Sequence, residues 1–262
     1  MRQKMNQNKT KEKSFVELTV ALIMLITVSI AATAATSTAA TGQIEPVAQQ
    51  DQESDPWEPF NSKMFWFDHD VLDRYVLKPV ARAWNFVIPE VVQRSLRNAI
   101  DNTNMPSRLV NSLAQGKFVG AGREVARFTI NTSIGVGGLI DLAKDGFGIE
   151  KSDEDTGQTL GFYGVGPGPY LVLPFLPPTD VRDGLGSIVD AAMNPLNYIL
   201  PFAAGADGAT TTGTLAGIAF TDAVNRRSLN LELYEGVEET VIDLYSAVRN
   251  AYLQKREAQI KQ

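Results

Sequence analysis

Between Asp155 and Asp180 the chain reads TGQTLGFYGVGPGPYLVLPFLPPT, residues 156–179, without one charged side chain. The run holds five Gly and five Pro. A spanning helix needs ~20 apolar residues in unbroken helix. This run is long enough, but each internal Pro removes a donor and clashes with the preceding turn. It is also too apolar for an ordinary surface loop. Such irregular backbone is tolerated when it is buried in protein or when it borders a lipid-facing cavity. That choice sets how the rest of the chain is read.

Three further stretches are short of charge: FTINTSIGVGGLI (128–140), AAMNPLNYILPFAAGA (191–206) and GATTTGTLAGIAFT (208–221). Each is too short, or too broken by Gly and Pro, to span a bilayer. Singly, any of them reads as buried core. Together, in a chain with room for one compact core, they predict a second apolar surface. A protein touching lipid from one side would present such a surface.

The whole chain is acidic, with a formal net charge of −6 over 262 residues. Nucleic-acid binding needs clustered Lys and Arg and is disfavoured. There is no cysteine, so disulfides, thiol nucleophiles and thiolate metal sites are excluded. The N-terminus combines Arg2, Lys4, Lys9, Lys11 and Lys13 with an apolar stretch from Phe15 to about Ala32 and a small-residue tract. This describes a secretory signal peptide over 1–34, with Ala32-Thr33-Ala34 fitting the cleavage site and Ser37-Thr38-Ala39 as a second candidate. An uncleaved membrane anchor is the alternative. A flexible linker over 35–54, a helical domain over 55–258 and a tail over 259–262 follow.

Helical signals dominate the domain, and it is read as all-α. Asn61 is a candidate cap for a helix reaching about Val76, with Pro79 breaking or kinking the chain. Pro89 opens a second helix with Val91, Val92, Leu96 and Ile100 as its apolar positions. Pro106 opens a third, with Leu109, Val110 and Leu113 facing in and Gly116 ending it. A fourth covers 118–133. Ser152 with Asp155 resembles a cap pair, and Thr179 and Asp180 are candidate caps for the next helix. Ser228 is the candidate cap of a C-terminal helix carrying Leu231, Tyr234, Val237, Val241, Leu244, Val248 and Ala251 at three- and four-residue steps.

Catalytic chemistry is hard to find. His69 is the one histidine, and beside Asp68, Asp70 and Asp73 it reads as plain surface. There is no G-x-S-x-G elbow. Gly161, Gly164, Gly166 and Gly168 lack the Lys-Ser/Thr ending of a phosphate loop. The expectation is no enzyme, no metal and no cofactor.

Four blocks carry a family resemblance: DPWEPFNSKMFWFDHDVLDRYVLKPVARAW (55–84), RFTINTSIGVGGLIDLA (127–143), GQTLGFYGVGPGPYLVLPF (157–175) and VRDGLG (181–186). In this order they resemble the MlaA/VacJ family of outer-membrane lipoproteins. The resemblance runs from about 55 to 200 and weakens beyond about 205. It implies a ring-like helical domain with an amphipathic channel, embedded one-sidedly in a membrane leaflet. It also implies removal of outer-leaflet phospholipid and delivery to an MlaC-like periplasmic phospholipid carrier. Outer-membrane porins are the implied partners, and the periplasmic side of the cell outer membrane is the implied location. Carried over by residue, the channel-edge hairpin matches Gly161–Pro174. Gly164 and Gly166 stand where flexibility would gate it, and Gly161 and Gly168 flank them. Tyr163, Tyr170 and Phe175 are expected along the lipid path. Asn61, Met64, Phe65 and Phe67 match the channel-proximal N-terminal helix. One departure is plain: the family pattern has a lipobox cysteine, and this chain has none. Two other readings stay open, a porin-bound scaffold that moves no lipid and a phospholipase using His69.

Overall fold

A computed structural model describes residues 55–205 and 207–262. The expected signal peptide and linker lie outside the described residues. Helix α1 (Glu58–Trp66) passes without a break into a π-helical segment (Phe67–Leu77) and then α2 (Lys78–Val87). There follow α3 (Glu90–Thr103), α4 (Met105–Ala114), α5 (Phe118–Ser133), α6 (Leu142–Asp145) and α7 (Thr156–Phe162). Two short strands, β1 (Tyr170–Leu171) and β2 (Thr179–Asp180), lead to α8 (Val181–Met193), α9 (Leu196–Ala203), α10 (Gly208–Leu229), α11 (Leu231–Thr240) and α12 (Leu244–Ile260). The strands pair antiparallel, Tyr170 with Asp180 and Leu171 with Thr179. The domain is therefore helical, as the sequence predicts, and its last helix runs to Ile260, past the expected boundary at 258.

Five helices close a ring. Helix α3 meets α4, α4 meets α8, and α8 continues into α9 through Asn194 and Pro195. Helix α9 packs on α10, and α10 returns to α3. Behind this circuit α5 backs α4, α2 braces α10, and α7 joins α8 to α12.

Several local expectations are corrected. Asn61 caps nothing: it lies inside α1 and is fully buried. Pro79 does not break the chain. At the switch from π to α register, Lys78 N–H reaches back five residues to Asp73 C=O. The donor that Pro79 lacks falls at this register change, where a missing bond is least disruptive. Asp155, not Ser152, caps α7 by accepting from Gln158 N–H at 2.8 Å. Asp180 caps α8, accepting from Asp183 N–H at 2.7 Å. The helix expected from Ser228 is two helices. Ser228 is buried in the last turn of α10, where the Asn230 amide donates to Arg226 C=O at 2.7 Å and competes with continued helix. Val241 is extended, and Asp243 caps a fresh start by accepting from Ser246 N–H at 3.1 Å.

The larger correction concerns which faces are inside. Helix α4 buries Ser107, Arg108, Asn111 and Ser112, while Val110 and Leu113 are exposed. Helix α5 buries Glu124, Arg127 and Asn131 and exposes Phe118 and Val125. In α3, Gln93 and Asn102 are buried and Val91 and Val92 are exposed. Among the described residues only eight apolar side chains are fully buried, against 21 polar or charged ones. Outward, Phe86 is 92% exposed, Phe202 80% and Val119 78%. The helical periods are those of the sequence, but the polar stripe points in and the apolar stripe out. The charge-short stretches behave alike: Ile134, Val136, Ile140, Tyr198, Ile199 and Phe220 are all exposed.

Such an interior holds only if its polar groups are paired. The Glu124 carboxylate, wholly buried, accepts from Arg108 Nε at 2.6 Å and from Ser152 N–H at 2.6 Å. Arg127 donates to Asp141 at 2.8 Å, and Asn131 bridges Asp141 (2.9 Å) and Ala143 N–H (2.9 Å). We expect Arg108→Met, which strands the Glu124 charge, to destabilise the fold by about 3–5 kcal/mol. The double variant Arg108→Met/Glu124→Gln should recover much of this. Urea unfolding checks both, and a single variant within 1 kcal/mol of wild type would overturn the assignment.

Candidate functional site

The ring surrounds a cavity of about 130 Å³ whose wall mixes charged side chains with Ile100, Leu196 and Ile218. Asp101, Ser107 and Arg108 enter it from α3 and α4, and Asp190 from α8. Asp222 and Arg226 come from α10, and Lys255 and Arg256 from α12. Lys151, Asp153, Glu154 and Asp155 line it from the loop before α7. Six carboxylates thus face five cations across one small space.

Most of these charges are tied to one another. Asp101 lies 3.4 Å from Arg108 and 3.2 Å from Lys151. Burial works against the Asp101 charge, but Arg108 and Lys151 outweigh it and hold the carboxyl at about 2. Arg256 grips Asp155 with both terminal nitrogens, at 2.7 and 2.9 Å, and also pairs with Asp183. Asp190 accepts from the hydroxyls of Ser107 and Thr156, each at 2.6 Å, yet burial pushes its pKa up. Asp222 accepts from Arg226 Nε at 2.8 Å, while its Oδ1 is buried without a partner. Lys255 makes no hydrogen bond or ion pair among the described residues.

The uncharged run divides into two parts. Residues 162–168 are exposed, whereas Tyr170 and Val172 are buried. Asn61 causes the burial. Its carboxamide donates to Tyr170 C=O at 2.9 Å and accepts from Val172 N–H at 3.0 Å, as a neighbouring strand would. The same amide holds Asp55 at 3.1 Å. Tyr170 packs against Tyr252 (5.8 Å) and Tyr245 (6.2 Å). Strand pairing closes a turn over 172–178, C-terminal to most of the expected Gly161–Pro174 hairpin.

The other predicted residues spread around this run. Gly161 is tightly packed, since a Cβ there would meet Ile260 Cδ1 at 2.7 Å. Gly164 takes φ +85° in open space, and Gly166 is also unobstructed. Gly168 takes φ +69° beside Val181. Tyr163 is exposed and its hydroxyl donates to Ala114 C=O at 2.5 Å. Met64, Phe65 and Phe67 are half-buried. Phe65 stacks on His69 at 5.9 Å, and Phe67 meets the exposed Phe175 edge-on at 6.3 Å. Phe175 has φ +67°, a strained value for a side chain this large, and its N–H donates to Asp68 Oδ1 at 3.0 Å. None of these residues lines the polar cavity. His69 lies 3.6 Å from both Asp70 and Glu238.

The family model described as MlaA lipoprotein matches residues 53–259. The chain belongs to the MlaA lipoprotein family. It is 33% identical to the intermembrane phospholipid transport system lipoprotein MlaA of Haemophilus influenzae over 231 residues, 88% of this chain and 87% of that protein. It is 34% identical to the protein of the same name in Escherichia coli over 213 residues, 79% of each. A solved structure addressing the structural basis for maintenance of bacterial outer membrane lipid asymmetry aligns with a TM-score of 0.68 at 33% identity. That match covers 79% of this chain and 99% of the other.

Of the charged cavity residues of this MlaA-family chain, only Asp155 was legible in the sequence, and as a helix cap. Their signal is the four-residue spacing of Ser107 with Asn111, Arg108 with Ser112, and Asp222 with Arg226. A solvated helix face has the same spacing, so the stripe gives no direction by itself.

Asp68 yields a test of the contact between the N-terminal helix and the run. Burial raises its pKa to about 6, against the opposing hydrogen bond from Phe175 N–H. An acid with a raised folded pKa stabilises the fold below its unfolded value, and that stability is lost as pH rises through about 6. Asp68→Asn should therefore gain on wild type between pH 4 and pH 7.5. Partial exposure limits the gain to the order of 1 kcal/mol, or roughly 2–4 °C in Tm. Thermal unfolding at the two pH values reads it, and an equal difference at both would refute the assignment.

Proposed function

We propose that this chain is a phospholipid-translocation component on the periplasmic side of the cell outer membrane. In this reading it removes phospholipid from the outer leaflet and passes it to a periplasmic carrier protein. The observation that carries the proposal is a charged cavity at the centre of a ring whose outward side chains are apolar. A phospholipid needs a wet path for its head and an apolar path for its tails. The cavity supplies the first. The exposed Phe and Val side chains supply the second. No covalent step is required, so the chain need not be an enzyme. The names of the relatives in Haemophilus influenzae and Escherichia coli support phospholipid as the cargo.

Among the described residues no helix is long and apolar enough to cross a membrane. We therefore place the ring in one leaflet, held by side chains such as Phe86, Phe118 and Phe202. The sequence has no cysteine for acylation, and this reading assigns the attachment to the apolar surface or, if it is retained, to the apolar stretch 15–32. Outer-membrane porins and an MlaC-like carrier are the partners this reading assigns. This reading assigns the moving edge to the exposed segment 162–168, where a side chain added at Gly164 or Gly166 would meet open space.

Phospholipid retained by the purified chain, detected by mass spectrometry, is expected; reproducible absence would sink the transport reading. In cells, Gly164→Val/Gly166→Val should raise outer-leaflet phospholipid. An unchanged level would remove the gating role while leaving the transport reading standing. The melting temperature of the double variant is the folding control, since Gly164→Val puts a side chain at φ +85°.

A further inference from the structure

The cavity holds one ion of each sign that the protein leaves incomplete. Lys255 lies on its wall with no bonded partner, within the fields of Asp153 and Asp155 but also of Arg256 and Lys151. Asp222 is 1% exposed, lines the same space, and carries an unpartnered Oδ1. An unmade hydrogen bond on a buried charged group is costly. Burial and then Arg256 push the Lys255 ammonium below its ordinary value, so an arriving anion would stabilise it. Burial pushes Asp222 up despite Arg226, so an arriving cation would do the same there.

Size and net charge narrow the guest further. A volume of about 130 Å³ is close to the ~150 Å³ that admits one benzene. It takes a few non-hydrogen atoms, not an acyl chain. Six carboxylates and five cations leave the wall one charge negative. A guest of net negative charge meets that excess, whereas a guest bearing both signs does not. Asp222 is nearly sealed and Lys255 only half-buried. A head entering from the open side would bring its terminal cation to Asp222 and its phosphate to Lys255.

We infer that this cavity is a subsite for an ammonium-bearing phosphodiester, with Lys255 receiving the phosphate and Asp222 the ammonium. The phospholipid head group of the ethanolamine type is the ligand, and to that extent the inference rests on the transport reading above. A free glycerophosphodiester shares the same chemistry.

The test uses the full chain, incubated with vesicles of equal parts phosphatidylethanolamine and phosphatidylglycerol, re-isolated, and its lipid counted by mass spectrometry. Wild type should retain the ethanolamine lipid about tenfold over its share, the worth of one charge-assisted hydrogen bond. Lys255→Gln should lower retention of both lipids. Asp222→Asn should lower retention of the ethanolamine lipid and return the ratio to that of the vesicles. Asn keeps an acceptor for Arg226, and the Lys255 arm stands alone should that variant fail to fold. Competition with soluble sn-glycero-3-phosphoethanolamine distinguishes the sources. Displacement only at large excess assigns the lipid head, and displacement at equal concentration assigns the free diester to the same site. Phospholipid retained by wild type at the vesicle ratio would overturn the head-group inference alone. No retained phospholipid at all would overturn the transport reading and this inference with it.

Discussion

Glu124 is the side chain on which the architecture turns. A fully buried carboxylate is tolerated only when cations and donors surround it, and here Arg108 and Ser152 N–H do so from two different elements. The contact ties α4 to α5 and to the loop that lines the cavity. Because the inside is held by charge, it cannot collapse into an oily core. The ring stays open around a polar space, and apolar side chains have nowhere to go but outward. Fold and surface character thus share one cause.

Much of the helical architecture was legible in the sequence. The Pro89, Pro106 and Gly116 punctuation marks helix ends that exist, and 118–133 is one helix throughout. What periodicity could not give was direction. A stripe such as Val110 and Leu113 opposite Asn111 and Ser112 is the same object whether water or lipid lies outside, and the usual reading assumes water. The four charge-short stretches were the better guide, since together they called for a second apolar surface. The π-helical segment and the interruption at 241–243 depend on contacts distant in sequence and left no local trace. Asn61 was misread for a related reason. An Asn near a helix start is a good cap, but its partners Tyr170 and Val172 lie more than a hundred positions away. The cavity itself was invisible, because Asp222 and Lys255 acquire meaning only when α10 and α12 face the same space.

The two halves of the proposed lipid path answer different physical demands. In the proposed path, charges at close range would set which head group is accepted, acting over a few ångströms inside a small volume. The outward aromatic and aliphatic side chains would set where the molecule resides, acting through area rather than geometry. Substitutions on the outside should therefore move the protein, and substitutions on the inside should change its choice of cargo.

The uncharged run is fastened to the domain along its length by bonds of unequal worth. Near its start, the exposed Tyr163 hydroxyl holds Ala114 C=O by a single bond, worth about 0.5–1.5 kcal/mol net. Further on, Asn61 holds two buried backbone groups at once, and freeing either would strand it at about 1–3 kcal/mol. The first attachment is within reach of thermal motion and the second is not. Between them, Val165 C=O accepts from the Arg182 side chain at 3.3 Å and Pro167 C=O from Arg182 N–H at 3.1 Å, so release of Tyr163 alone would leave residues 165–172 seated on α8 and α1.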